Sequence, residues 1–120
     1  MNTSDNKIEN KRSNDPIDRL IYEQNFRIKL VLPVKEQDSL IVFLNNGTHI
    51  SVHLSSFSRL KNASQEELKN CILISDGIGI EWPSLDEDLS LKGLLHQFAT
   101  ENIITLLKGK GGENTLGMAA

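Results

Sequence analysis

The chain has 120 residues, enough for one small domain with flanking segments and too few for two ordinary domains. Its 13 Lys and Arg stand against 16 Asp and Glu for a net charge of −3, which excludes a nucleic-acid binder resting on general phosphate neutralisation. One cysteine, Cys71, excludes an internal disulfide, the polar start after Met1 carries no apolar secretion signal, and no apolar run approaches the roughly 20 residues of a membrane helix, so a cytoplasmic protein is expected.

Residues 1–25 mix Asn, Ser, Asp, Lys and Arg with few aliphatics and read as a flexible N-terminal arm. Within it Ile17, Leu20, Ile21 and Tyr22 have the spacing of one helical turn that docks on the domain or on a partner. From Phe26 the period becomes two. Phe26, Ile28, Leu30 and Leu32 alternate with Arg27, Lys29 and Val31, a half-buried strand whose end is marked by Pro33. Leu40–Leu44 is continuously apolar, as for a central strand covered on both faces. Asn46-Gly47 suits a type I′ turn into a third strand, where Ile50, Val52 and Leu54 alternate with His49, Ser51 and His53.

Phe57 and Leu60 mark a short helical turn, and Ser64 with Glu67 forms a capping box opening a second short helix. Cys71–Ile74 reads as a buried strand, Asp76-Gly77 as a turn and Ile78–Trp82 as the last strand, stopped by Pro83. Asp86-Glu87-Asp88 precedes Ser90, which is placed to cap a helix through Leu91, Leu94 and Leu95. Thr100 is placed to cap a further segment with Ile103, Ile104, Leu106 and Leu107 as its apolar face, ended by Gly109. The glycine-rich remainder reads as a flexible tail.

Arg59-Leu60 before the capped helix, followed by Gly77-Ile78-Gly79-Ile80-Glu81-Trp82-Pro83-Ser84-Leu85-Asp86-Glu87-Asp88-Leu89-Ser90 and Gly93-Leu94-Leu95, resembles the bacterial family called domain of unknown function 2442. The resemblance runs from about Phe26 to Leu95 and implies a small α+β domain. Some members resemble transcription regulators in carrying a helix-turn-helix after this domain, for which residues 96–120 are too few. Others are encoded beside proteins of domain of unknown function 4160, an arrangement similar to toxin–antitoxin pairs. The family has no established catalytic residue to carry over.

The most concentrated group of unusual side chains is Trp82 with Asp86, Glu87 and Asp88. An aromatic anchor beside an acidic strip suits docking of a basic partner; the same residues also suit a core Trp82 with acids capping a helix. The triplet has no calcium-loop spacing. His49 and His53 on one strand lie about 13 Å apart, too far to share an ion, and His96 is single. Cys71 has no sequence-adjacent base and reads as a small buried hydrophobe. Arg27, Lys29, Arg59, Lys61 and Lys69 read as solvated charge, since aromatics for base stacking are scarce.

The expectation is therefore an α+β fold with a small antiparallel sheet built from two hairpin-like units and short helices. A flexible arm spans 1–25, the domain 26–95, and a short helical segment with tail 96–120. Its expected role is that of a non-catalytic protein-binding or regulatory module, antitoxin-like, with Trp82, Asp86, Glu87 and Asp88 as the partner-binding guess. No catalytic residue, metal or cofactor is expected; neither is nucleic acid or membrane. Two alternatives stand beside it: a small enzyme using Asp86, Glu87 or Asp88 as acid or base, and a structural subunit assembling through a sheet edge.

Overall fold

The computed structural model describes residues 14–108; the glycine-rich tail and the first 13 residues of the arm lie outside the described residues. The chain forms α1 (Pro16–Tyr22), the strands β1 (Ile28–Val34), β2 (Ser39–Leu44) and β3 (His49–His53), the short helices α2 (Ser58–Lys61) and α3 (Gln65–Lys69), the strands β4 (Ile72–Ile74), β5 (Gly79–Trp82) and β6 (Glu87–Ser90), and α4 (Leu91–Lys108). The six strands make two antiparallel three-stranded meanders, β1-β2-β3 and β4-β5-β6. The fold is α+β. Apolar side chains alternating along the strands meet in one core, with Leu40, Val42 and Val52 from the first sheet, Ile80 and Trp82 from the second, and Leu91 and Leu94 from α4.

The end of the expected arm belongs to this fold. Asp15 caps α1 by accepting a hydrogen bond from the Ile17 amide at 2.9 Å, and Pro16 presets the first helical φ, so seven residues suffice for a helix. Ile21 is fully buried, and the Arg27 guanidinium donates to the Ile21 carbonyl at 2.8 Å. Burial of Ile21 and partial burial of Ile17 offset the ordering entropy that composition alone argued against.

The hairpin at Asn46-Gly47 forms, with a different turn. Only Gly47 has positive φ, at 91°, and its amide donates to the Leu44 carbonyl at 3.2 Å, which is a type I geometry closed by a left-handed glycine. The Asn46 carboxamide oxygen accepts from the Thr48 amide and hydroxyl at 3.1 and 2.7 Å, holding Asn46 out of the left-handed conformation that type I′ needs. The capping box is present as expected, with the Ser64 hydroxyl accepting from the Glu67 amide and the Glu67 carboxylate from the Ser64 amide.

Three further expectations are corrected. β4 is a half-exposed edge strand and not a buried one, because it pairs on one side only, with β5. Trp82 does not end the last strand. Asp86, at φ 53°, closes the 3₁₀ turn Pro83–Leu85 and reverses the chain, so Glu87–Ser90 pairs back along β5. The same device joins β1 to β2, where Asp38 sits at φ 51°; a short polar side chain is what makes this conformation tolerable outside glycine. Finally, α4 is one helix of 18 residues. Ser90 does cap it, accepting from the Gly93 amide at 2.9 Å, but Thr100 lies mid-helix in a stretch with no Gly or Pro to stop it.

Candidate functional site

The expected partner-binding group is dispersed by the fold. Trp82 shares the inward face of β5 with Ile80 and is fully buried, and its indole N–H donates to the Leu68 carbonyl at 2.9 Å. It is a core residue that ties α3 to the second sheet, and its single polar atom is already satisfied, so it offers a partner nothing. Asp86 sits in the turn with its carboxylate 99% exposed, facing Arg59 across 3.3 Å, while the Arg59 guanidinium also donates to the Asp86 carbonyl. That contact joins the Arg-Leu and Asp-Glu-Asp halves of the sequence motif. Glu87 and Asp88 follow one another on β6 opposite Trp82 and Glu81, so their side chains take opposite faces of the sheet. The three carboxylates do not converge.

The histidines are separated as well. His53 Nδ1 lies 3.0 Å from Glu101 and His96 Nε2 lies 3.2 Å from Asp15. Among the described residues no group of three or more His, Cys, Asp or Glu is placed to hold a metal ion. Cys71 is half-buried, and that burial pushes its thiol pKa up, away from a reactive thiolate.

What the first sheet exposes instead is apolar. Between Ile28 and Leu30 the β1–β2 register shifts: Ile28 lies opposite Leu44, yet Leu30 lies opposite Phe43. The extra residue reverses the side-chain phase of β1. Ile28 stays in the core, Val31 and Pro33 follow it there, and Leu30 and Leu32 turn outward, 58% and 47% exposed. They are not core residues, as the strict alternation from Phe26 to Leu32 required.

On the outer face Leu30 aligns with Phe43 and then His49, whose ring centroid is 5.5 Å from that of Phe43; Leu32 aligns with Ile41 and then Ser51. Four large apolar side chains thus share one solvent-facing sheet surface, bordered by the polar residues of β3. Isolated exposed leucines are ordinary; here two stand side by side against the half-buried Phe43 and Ile41.

One end of each edge of this sheet is capped by a side chain. At β1 the Gln65 amide imitates a strand, donating to the Pro33 carbonyl at 2.9 Å and accepting from the Lys35 amide at 2.8 Å. At β3 the Glu101 carboxylate accepts from the His53 amide at 3.2 Å and from the Ser56 hydroxyl at 2.8 Å. Partial burial alone raises the Glu101 pKa, but hydrogen bonds from Gln97, Ser56 and the His53 amide outweigh it and hold the carboxyl below its ordinary range. These bonds occupy the last positions of each edge, while the outer face carries no such cover. Sequence reasoning missed it for one reason: a bulge adds a residue without any marker such as Gly at the site.

A family model described as a protein of unknown function, DUF2442, matches residues 19–100. A crystal structure of a protein of unknown function from Rhodospirillum rubrum is 28% identical, covers 68% of this chain and 99% of its own, and superposes with a TM-score of 0.55. A solution NMR structure of an uncharacterised protein from Chromobacterium violaceum shares the fold at a TM-score of 0.56 and 22% identity, over 74% of this chain and 81% of its own. No curated protein matches. The family match spans the described fold from α1 into the second half of α4, and the chain belongs to the DUF2442 family.

Proposed function

We propose that the protein is a non-catalytic protein-binding module that regulates its partner, in the manner of the antitoxin of a two-gene pair, and that the partner docks on the outer face of the first sheet. The observation that carries this reading is the side-by-side exposure of Leu30 and Leu32 next to Phe43 and Ile41 on a sheet whose other face already fills the core. Apolar contact of this kind recruits a protein surface with its own apolar centre and polar rim. The acidic balance of the chain fits a protein partner better than a nucleic acid. No helix among the described residues is long and apolar enough to cross a membrane, and the proposed place of action is the cytoplasm.

The test is co-expression of the tagged full chain with the product of the adjacent gene, followed by purification. The expected result is a stoichiometric complex and relief of any growth arrest that the neighbour causes alone. Leu30→Lys with Leu32→Lys should abolish both and leave the circular dichroism spectrum unchanged. Recovery of no stoichiometric protein, or equal capture by the double variant, overturns the reading.

A further inference from the structure

The two halves of α4 turn apolar residues to different sides. At 100° per residue, Leu91, Leu94, Leu95 and Phe98 point to the core, whereas the stripe Ile103, Ile104, Leu106 and Leu107 is centred about 150° away. The stripe is 56%, 48%, 77% and 77% exposed, and every residue from Asn102 to Lys108 is exposed. Further up the helix this same side is occupied: Lys92 and His96, within about 40° of the stripe's centre, pair with Asp18 at 2.9 Å and Asp15 at 3.2 Å on α1. α1 thus lies along that side of α4 as far as His96. Beyond it the stripe continues without cover from any described element.

From the stripe we infer that the protein self-associates, with the last two turns of α4 of one copy lying antiparallel against those of a second copy. Three observations select this occupant. The stripe is symmetric about Thr105, so a two-fold axis at that level sets Ile103 against Leu107 of the second copy at the centre, Ile104 against Ile104 on one flank and Leu106 against Leu106 on the other, apolar on apolar throughout. Antiparallel order also keeps the two Lys108 side chains at opposite ends of the contact, whereas parallel order sets Lys108 against Lys108. The chain's own remaining segments are poor cover, because residues 1–13 contain a single aliphatic residue besides Met1, namely Ile8, and residues 109–120 offer only Leu116 and Met118 as large apolar groups among four glycines.

Area sets the strength. Eight such side chains, each burying on the order of 100 Å², supply roughly 800 Å², below the roughly 1,200 Å² at which standard stable interfaces begin. The association is therefore weak and concentration-dependent. It uses a surface separate from the sheet face and does not depend on the function proposed for that face.

Sedimentation velocity on the full chain from about 5 μM to 1 mM tests it. The wild type should pass from monomer to dimer across that range, and Ile103→Glu with Leu107→Glu should stay monomeric with unchanged circular dichroism and melting temperature. Leu30→Lys with Leu32→Lys should dimerise like the wild type. In a Cys71→Ser background, Ile103→Cys and Leu107→Cys chains should form a disulfide-linked dimer when mixed and little when kept apart. A wild type monomeric throughout, a helix variant that still dimerises, loss of the dimer in the sheet-face variant, or efficient cross-linking of the Ile103→Cys chain alone would each overturn the inference.

Discussion

The two sheets are built alike inside and differently outside. Each is a three-stranded antiparallel meander with an aspartate-closed 3₁₀ turn, and each sends alternate side chains into the shared core. The outer face of the second sheet sets Glu81 against Asp88 and Gly79 against Ser90, an ordinary polar surface apart from the edge residues Ile72 and Ile74. The outer face of the first sheet carries Leu30, Leu32, Ile41 and Phe43. The second sheet does without apolar groups on that face of its central and outer strands. The difference separates residues that fill the core from apolar residues left at the surface.

The largest expected effect comes from breaking the core side of the second sheet. Trp82→Ala removes its biggest buried side chain and the hydrogen bond to Leu68, and should cost about 3–5 kcal/mol in a urea melt. Trp82→Phe keeps much of the volume but orphans the Leu68 carbonyl, and should cost less. Next is the seam where the sheets meet. Gly77 has φ 87°, and a Cβ there would stand 2.7 Å from the Ile28 carbonyl oxygen. Gly77→Ala should cost about 1–3 kcal/mol, and Gly47→Ala, with the same sign of φ but open space around it, should cost less.

The fold was legible wherever local chemistry decided it. The capping box at Ser64 and Glu67, the reversal at Asn46-Gly47 and the alternation of β3 each follow from a few adjacent residues. It was not legible where partners distant in sequence decide. The bulge in β1 is fixed by pairing with β2; β6 exists because Asp86 adopts a conformation that aspartate tolerates without announcing it. The low amphipathicity of α4 as a whole arises because its two apolar stripes oppose one another, which in sequence looks like two helices. Of the expected binding group, the acidic residues are exposed or half-exposed and Trp82 is not, because strand phase counted from Ile80 puts it inside.

A smaller effect tests the edge of the first sheet. The Glu101 carboxyl is held below its ordinary range in the folded chain, so its ionised form is worth more there than in the unfolded chain. That contribution is complete above the unfolded value near 4.5 and is lost as pH falls through the lower folded value. Glu101→Gln should therefore be less stable than the wild type at neutral pH, and the gap should narrow when urea melts are repeated toward pH 3. A gap independent of pH would mean that the carboxylate charge is not what holds the β3 edge.

The smallest expected effect makes the first sheet's outer face resemble the second's. Leu30→Thr with Leu32→Thr introduces β-branched, strand-compatible residues and removes apolar area that is already half in water, so stability should change by no more than about 1 kcal/mol. The measurement is the urea midpoint, read beside capture of the partner. Near-wild-type stability with lost capture would set the open face apart as a surface kept apolar for contact. A loss as large as that of Trp82→Ala would instead make Leu30 and Leu32 part of what holds the sheet, and the two sheets would then differ in construction and not in purpose.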